Sequence, residues 1–217
     1  MTVKLYHCKN ARSLRPLWTL EEMGLAYDLE VMPFPARVHR PDYLAINPLG
    51  TVPCLVDGAT VLTESAAICQ YLVDCYGPSP LGLSPTDPDY GSYLNWLHRS
   101  DATLTFPQTI VLRYTQLEPP ERRLLQVAED YTRWFFARLR CVEEAVATRE
   151  FLCAERFTIA DICVAYALYL ADRLGLRDGF KPNTEAYYQR MTARPGFRRA
   201  AVAGLRDGGD PDSLWSD

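Results

Sequence analysis

Apolar positions along the chain change their spacing near residue 77, and each side of that point predicts its own set of elements. Residues 3–6 form a short apolar run of the buried-strand kind. Residues 13–23 carry Leu14, Leu17, Trp18 and Leu20 at helical spacing, and Gly24 follows as a C-cap. Over 27–32, Tyr27, Leu29 and Val31 alternate with Asp28 and Glu30, which predicts a second strand. Residues 33–49 have no period and are expected to be irregular. Segments 53–56 and 60–62 flank Asp57-Gly58, a hairpin-turn dipeptide, and 64–76 is an amphipathic helix. The order is β-α-β-(irregular)-β-β-α.

Beyond residue 88 the period is helical, over 89–116, 120–147, 158–174 and 185–194. Thr158-Ile159-Ala160-Asp161 reads as a capping box with Asp in the place usually held by Glu, and Phe157 and Ile162 as its hydrophobic staple. The Gly- and Asp-rich tail from Arg206 is expected to fray. Between the two regimes, residues 77–88 hold four prolines and two glycines, through which no helix runs. The expected division is therefore 1–77, a linker over 78–88 and an all-helical domain over 89–217.

Composition narrows the function. With 23 basic against 27 acidic residues and a formal charge of −4, the chain lacks the basic balance of a nucleic-acid binder. No run approaches the roughly 18 apolar residues of a membrane span, and residues 1–6 enter a strand pattern with no basic-then-apolar leader. A soluble, cytoplasmic protein is expected. Seven cysteines without a C-x-x-C pair read as reduced thiols, mostly core fillers. Cys8 stands apart because it precedes a helix start, where a thiolate would be stabilised. His7, His39 and His98 form no ligand cluster, so no metal is expected. No Gly-rich phosphate loop follows the first strand.

Two motifs carry the chemistry. In Asn47-Pro48-Leu49-Gly50-Thr51-Val52-Pro53-Cys54-Leu55, a proline opens a strand, and a cis Val52–Pro53 bond would account for it. Such a bend frees the Val52 backbone to pair with an extended peptide. In Leu62-Thr63-Glu64-Ser65-Ala66-Ala67-Ile68, Glu64 and Ser65 open a helix whose amides and dipole would hold a carboxylate.

With these motifs and Phe157-Thr158-Ile159-Ala160-Asp161 in order, nearly the whole chain resembles the glutathione S-transferase superfamily. The resemblance implies an α/β plus all-α fold: a thioredoxin-like N-terminal domain (βαβ-ββα), then an all-helical C-terminal domain. It implies glutathione as co-substrate, a homodimer and a role in detoxification. By position, Val52 would pair with the cysteinyl part of glutathione beside cis Pro53, and Glu64 and Ser65 would hold its γ-glutamyl end. Many relatives have Lys or Gln where this chain has Thr51, so Arg37, His39 or Arg40 would supply the charge for the glycine carboxylate. Asp101 matches an acidic residue that reaches across the dimer in several classes.

A free thiol has a pKa near 8.5, and lowering it by two units takes about 2.7 kcal/mol of thiolate stabilisation. A donor at a helix start can supply this, which points to the loop 6–16. The chain departs there from each familiar pattern: Asn10 aligns with the serine of serine-type members, Ala11 with another bacterial serine, Arg12 with a bacterial cysteine, and Tyr6 with a strand-end tyrosine. Asn10 is the first choice as thiol donor, followed by Ser13, Arg12 and Tyr6; Ser13 reads equally as the helix N-cap and Tyr6 as a core ring. Cys8 offers a mixed disulfide with glutathione. Phe106, Ile110, Tyr114 and Tyr166 are the expected contacts of a small apolar electrophile. The alternatives are a glutathione-dependent reductase or peroxidase, an isomerase, a dehalogenase, and a non-catalytic glutathione-binding protein.

Overall fold

The computed structural model describes residues 2–205. The chain divides into two units, one of residues up to Gly82 together with those from Thr192 onward, the other Leu83–Met191. In the first, β1 (Val3–His7), α1 (Leu14–Met23), β2 (Tyr27–Val31), β3 (Cys54–Asp57) and β4 (Thr60–Leu62) build a four-stranded sheet of order β2-β1-β3-β4. Strand β1 pairs parallel with β2, with α1 as the crossover this requires, and antiparallel with β3. Helix α1 ends at Gly24, as its spacing predicts. Leu5, Leu17, Trp18, Leu20, Leu55, Ile68 and Leu72 are fully buried. Tyr6 and Cys8 enter a second cluster with Met32, Ala36, Tyr43 and Cys54.

Two local details differ from the sequence pattern. Residues 33–49 are not irregular throughout: α2 (Ala36–His39) and a 3-10 turn (Pro41–Ala45) follow Pro35 and start at Pro41 respectively. Both are too short to show a period. The hairpin turn is Gly58-Ala59, because Asp57 already pairs with Thr60. Gly58 takes φ +57°, which the first central position of a tight hairpin demands and glycine meets without strain. Helix α3 (Ser65–Cys75) then closes the sheet, and the Asp57 carboxylate accepts from Tyr71 (2.8 Å) and Tyr76 (2.6 Å) to fasten hairpin to helix.

The second unit is helical. The segment read as one helix over 89–116 is α4 (Tyr90–Arg99), a π-helical stretch (Ser100–Thr105), α5 (Phe106–Leu112) and a second π-helical stretch (Arg113–Leu117). Pro107 has no N–H for the ordinary i−4 bond, and the widened turn immediately precedes it, with the Phe106 N–H reaching Asp101 O and Thr105 Oγ1 donating to Ser100 O at 2.7 Å. Helix α6 (Leu125–Ala145) and α7 (Ile159–Arg173) follow. The capping box forms: Thr158 Oγ1 accepts from Ala160 N–H (3.3 Å), and Asp161 Oδ2 accepts from Thr158 N–H (2.9 Å). Phe157 and Ile162, the expected staple, are both buried. Helix α8 (Pro182–Thr192) ends this unit.

The expected 89–217 domain is corrected at its end. Helix α9 (Pro195–Ala203), which the apolar spacing did not reveal, packs on α1 in the first unit. Phe197 meets Trp18 edge-on at 5.0 Å, and Arg194 holds both oxygens of Glu22 (2.8 and 3.0 Å). The contact boundary after Gly82 falls inside the Pro-rich segment. Among the described residues no helix is long and apolar enough to cross a membrane. The expectation for the tail from Arg206 lies outside them.

Candidate functional site

Because β1 and β3 are antiparallel, with Tyr6 opposite Cys54, the end of β1 and the start of β3 share one edge of the sheet. Segment 47–53 is shaped there by its own side chains. Asn47, 1% exposed, donates from Nδ2 to Thr51 O (2.8 Å) and accepts Leu49 N–H at Oδ1 (3.1 Å). Tyr43 OH donates to the same Thr51 carbonyl at 2.7 Å. Gly50 has φ +61°, and a Cβ there would stand 2.6 Å from Arg37 Cβ, so the motif glycine answers both a backbone and a space requirement. Val52–Pro53 is cis, as the motif implies. Val52 lies outside the ladder, and its N–H and C=O take no partner among the described residues, so an extended peptide can pair there. Pro53 is buried and Thr51 exposed.

Arg15 brings the start of α3 to the same place. It is fully buried in the first turn of α1, and its Nη1 donates to Ser65 Oγ at 2.9 Å. Glu64 is exposed at the N-cap position of α3 and its side chain caps nothing, which leaves the first-turn amides with the positive helix end. Ser65 hydroxyl, free amides and a buried guanidinium make a carboxylate site. Arg15 is a site component that the sequence pattern does not single out, since the spacing of a helix does not tell which partner a buried guanidinium will meet.

The turn 8–13 places the donor candidates differently from one another. Ser13 occupies the N-cap position of α1 without capping it; its Oγ accepts Cys8 N–H (3.3 Å) and donates to Cys8 O (3.4 Å). Fully buried, Ser13 clamps the turn, which corrects its reading as a helix cap. Tyr6 packs on Tyr43, ring centroids 5.2 Å apart, inside the second cluster and is a core ring. Asn10 takes φ +58°, a conformation asparagine tolerates better than most residues, at the tip of the turn. Arg12 is half-buried beside it. Cys8 fails as a reactive thiol: it is fully buried, and burial pushes its pKa up to about 12, against the lowering expected from the helix start.

The three cations proposed for the glycine carboxylate also separate. Arg40 is committed to Glu30 (2.9 Å) and Asp42 (2.7 Å). Arg37 and His39 are exposed on α2 with no ion-pair partner among the described residues, and Arg37 lies against Gly50.

The remaining candidates belong to the helical unit. Asp101 lies in the first π-helical stretch. Phe106 is 46% exposed and meets Tyr131 edge-on at 6.3 Å; Ile110 and Tyr114 are half-buried, and Arg113 lies over the Tyr114 ring at 5.6 Å. Tyr166, at 2% exposure within α7, is placed in that unit's core.

The glutathione S-transferase N-terminal domain model matches residues 11–75 and the corresponding C-terminal domain model residues 113–195. Glutathione S-transferase 3 of Schizosaccharomyces pombe is 29% identical over 212 residues, 92% of this chain and 86% of that protein. GstB of Escherichia coli K12 is 30% identical over 191 residues, 86% and 90% of the two chains. A glutathione transferase structure from Methylococcus capsulatus superposes with TM-score 0.82 at 28% identity, covering 94% of this chain and 98% of that one. The chain belongs to the glutathione S-transferase family.

Proposed function

We propose that this chain activates the thiol of glutathione for attack on a small apolar electrophile. The observation that carries the reading is the sheet edge: an unpaired Val52 backbone beside a helix start at which Arg15 holds Ser65. One site takes an extended peptide, the other a carboxylate, and glutathione offers both. In this reading Val52 and Pro53 hold the cysteinyl part, and Ser65 with Arg15 takes the γ-glutamyl carboxylate. Glu64 meets its ammonium group, with Asp101 of a second subunit assisting. Arg37 and His39 take the glycine carboxylate, and Asn10 with Arg12 lies nearest the sulfur. Phe106, Ile110 and Tyr114 supply the apolar contacts of the acceptor. The protein acts as a cytoplasmic homodimer.

The test is the ultraviolet thiolate absorbance of bound glutathione against pH, alongside turnover of a generic aryl halide. A bound-thiol pKa well below 8.5 together with aryl transfer is the expected result. Disulfide or peroxide turnover without aryl transfer would move the chain to the reductases. Glutathione binding with an unshifted thiol would make it a binding protein.

A further inference from the structure

Lys9 is the second residue beyond β1, in the turn that Ser13 clamps through both backbone groups of Cys8. It is 6% exposed, and its Nζ is closed to solvent with no hydrogen-bond or ion-pair partner among the described residues. Lys4 in the same unit shows the ordinary arrangement, with its ammonium 2.7 Å from Glu30 and open to water. Burying an ammonium costs several kcal/mol unless an opposite charge meets it. Nothing in the described protein supplies that charge, so an anion brought by a ligand is the missing partner.

The strand register says which part of the ligand arrives there. The ladder ends with Tyr6 opposite Cys54, and Val52 packs against the buried cluster that contains both Tyr6 and Cys8. Lys9 therefore follows a residue of the cluster on which Val52 packs, where the cysteinyl part of glutathione pairs on the reading above. The two glutathione carboxylates have their own receivers in Ser65 with Arg15 and in Arg37 with His39. The sulfur is the remaining centre that can become an anion.

We propose that the Lys9 ammonium is the counter-charge of the glutathione thiolate, an assignment that rests on the glutathione reading of the site. On binding, the S–H bond breaks, its proton passes to bulk water, and the electron pair stays on sulfur beside the Lys9 side chain. Asn10 contributes a neutral donor, and a charge-assisted contact is roughly twice as strong. This accounts for a chain that has Asn10 and Ala11 where relatives carry hydroxyl donors.

Four proteins test it: wild type, Lys9→Met, Lys9→Arg and Asn10→Ala. Each is titrated for bound thiolate absorbance and, separately, for affinity to S-methylglutathione, which cannot form a thiolate. Lys9→Met should raise the bound-thiol pKa by a unit or more, a tenfold loss of thiolate below that pKa. It should hold S-methylglutathione within about twofold of wild type. Lys9→Arg should recover most of the shift, and Asn10→Ala should move it less than Lys9→Met does. Unliganded Lys9→Met should unfold at the same or a higher denaturant concentration than wild type, since it removes an unpaired buried charge.

An unchanged thiol pKa in a folded Lys9→Met protein overturns the proposal. So does a tenfold loss of S-methylglutathione affinity, which would place Lys9 on another part of the peptide. If wild type binds neither ligand, the glutathione reading has failed, and that result is distinct from both.

Discussion

At the scale of single residues, burial decides which groups are available for chemistry. His7 is fully buried at the end of β1 beside Gly204, and burial lowers its pKa to about 4 against a hydrogen bond with the Ser13 backbone that raises it. Its ordinary value is 6.5, so the unfolded chain takes up the proton first as pH falls. The stability it contributes is present above about 6.5 and is lost progressively toward 4. Urea unfolding of wild type and His7→Gln at pH 7 and pH 5 should show the gap move in the variant's favour by about 2 kcal/mol. An unmoved gap would mean that His7 is solvated. Cys8 makes the companion case: under native conditions it should resist alkylation while the exposed Cys75 reacts. In Arg15→Met the stem still fills its place but the bond to Ser65 is gone, so glutathione affinity should fall about tenfold to a hundredfold, measured by calorimetry. Val52, Pro53 and Ser65 were legible because a motif names them by spacing. Lys9 and Arg15 were not, since nothing local to a lysine in a turn or an arginine on a helix tells what will enclose it.

At the scale of elements, the pattern was read best where side chains cap or alternate over many residues. The box at the start of α7 forms as written in the sequence, yet Asp161 does more than cap. Its carboxylate also accepts Leu152 N–H (3.0 Å) and Tyr187 OH (3.0 Å). It is fully buried, and burial raises its pKa to about 6 against the pull of those donors. Asp161→Ala would leave several buried donors without an acceptor, at about 1–3 kcal/mol for each stranded group. Denaturant unfolding should show a loss of at least about 3 kcal/mol, with Asp161→Asn in between because one acceptor oxygen survives. The two helical turns within 33–49 and the π-helical stretches escaped the pattern for a different reason. The former span about one turn each. The latter keep apolar spacing nearly helical while shifting the hydrogen bonds by one residue.

At the scale of the whole molecule, the last described helix belongs with the first unit, although sequence order placed it with the helices beside it. Arg194 precedes Pro195 in extended backbone (φ −61°, ψ +138°), which breaks the path between α8 and α9 as expected before proline. A nine-residue amphipathic segment gives little sign of where it docks, because its partners Trp18, Glu21 and Glu22 lie more than 170 residues earlier. Phe197→Ala removes the ring that meets Trp18, a large-to-small change that typically costs about 3–5 kcal/mol. If α9 is part of the first unit's core, amide exchange in α1 and β1 should quicken in this variant while α7 keeps its protection. Equal loss of protection in α7, with α1 unchanged, would return α9 to the helical unit. The first outcome also bears on the site: α1 carries Arg15, so a chain end that steadies α1 steadies the guanidinium at Ser65. Phe197→Ala should then weaken glutathione binding without touching a residue of the sheet edge, and Arg194→Ala, which leaves Glu22 only the Trp18 indole as donor among the described residues, should do the same to a smaller degree.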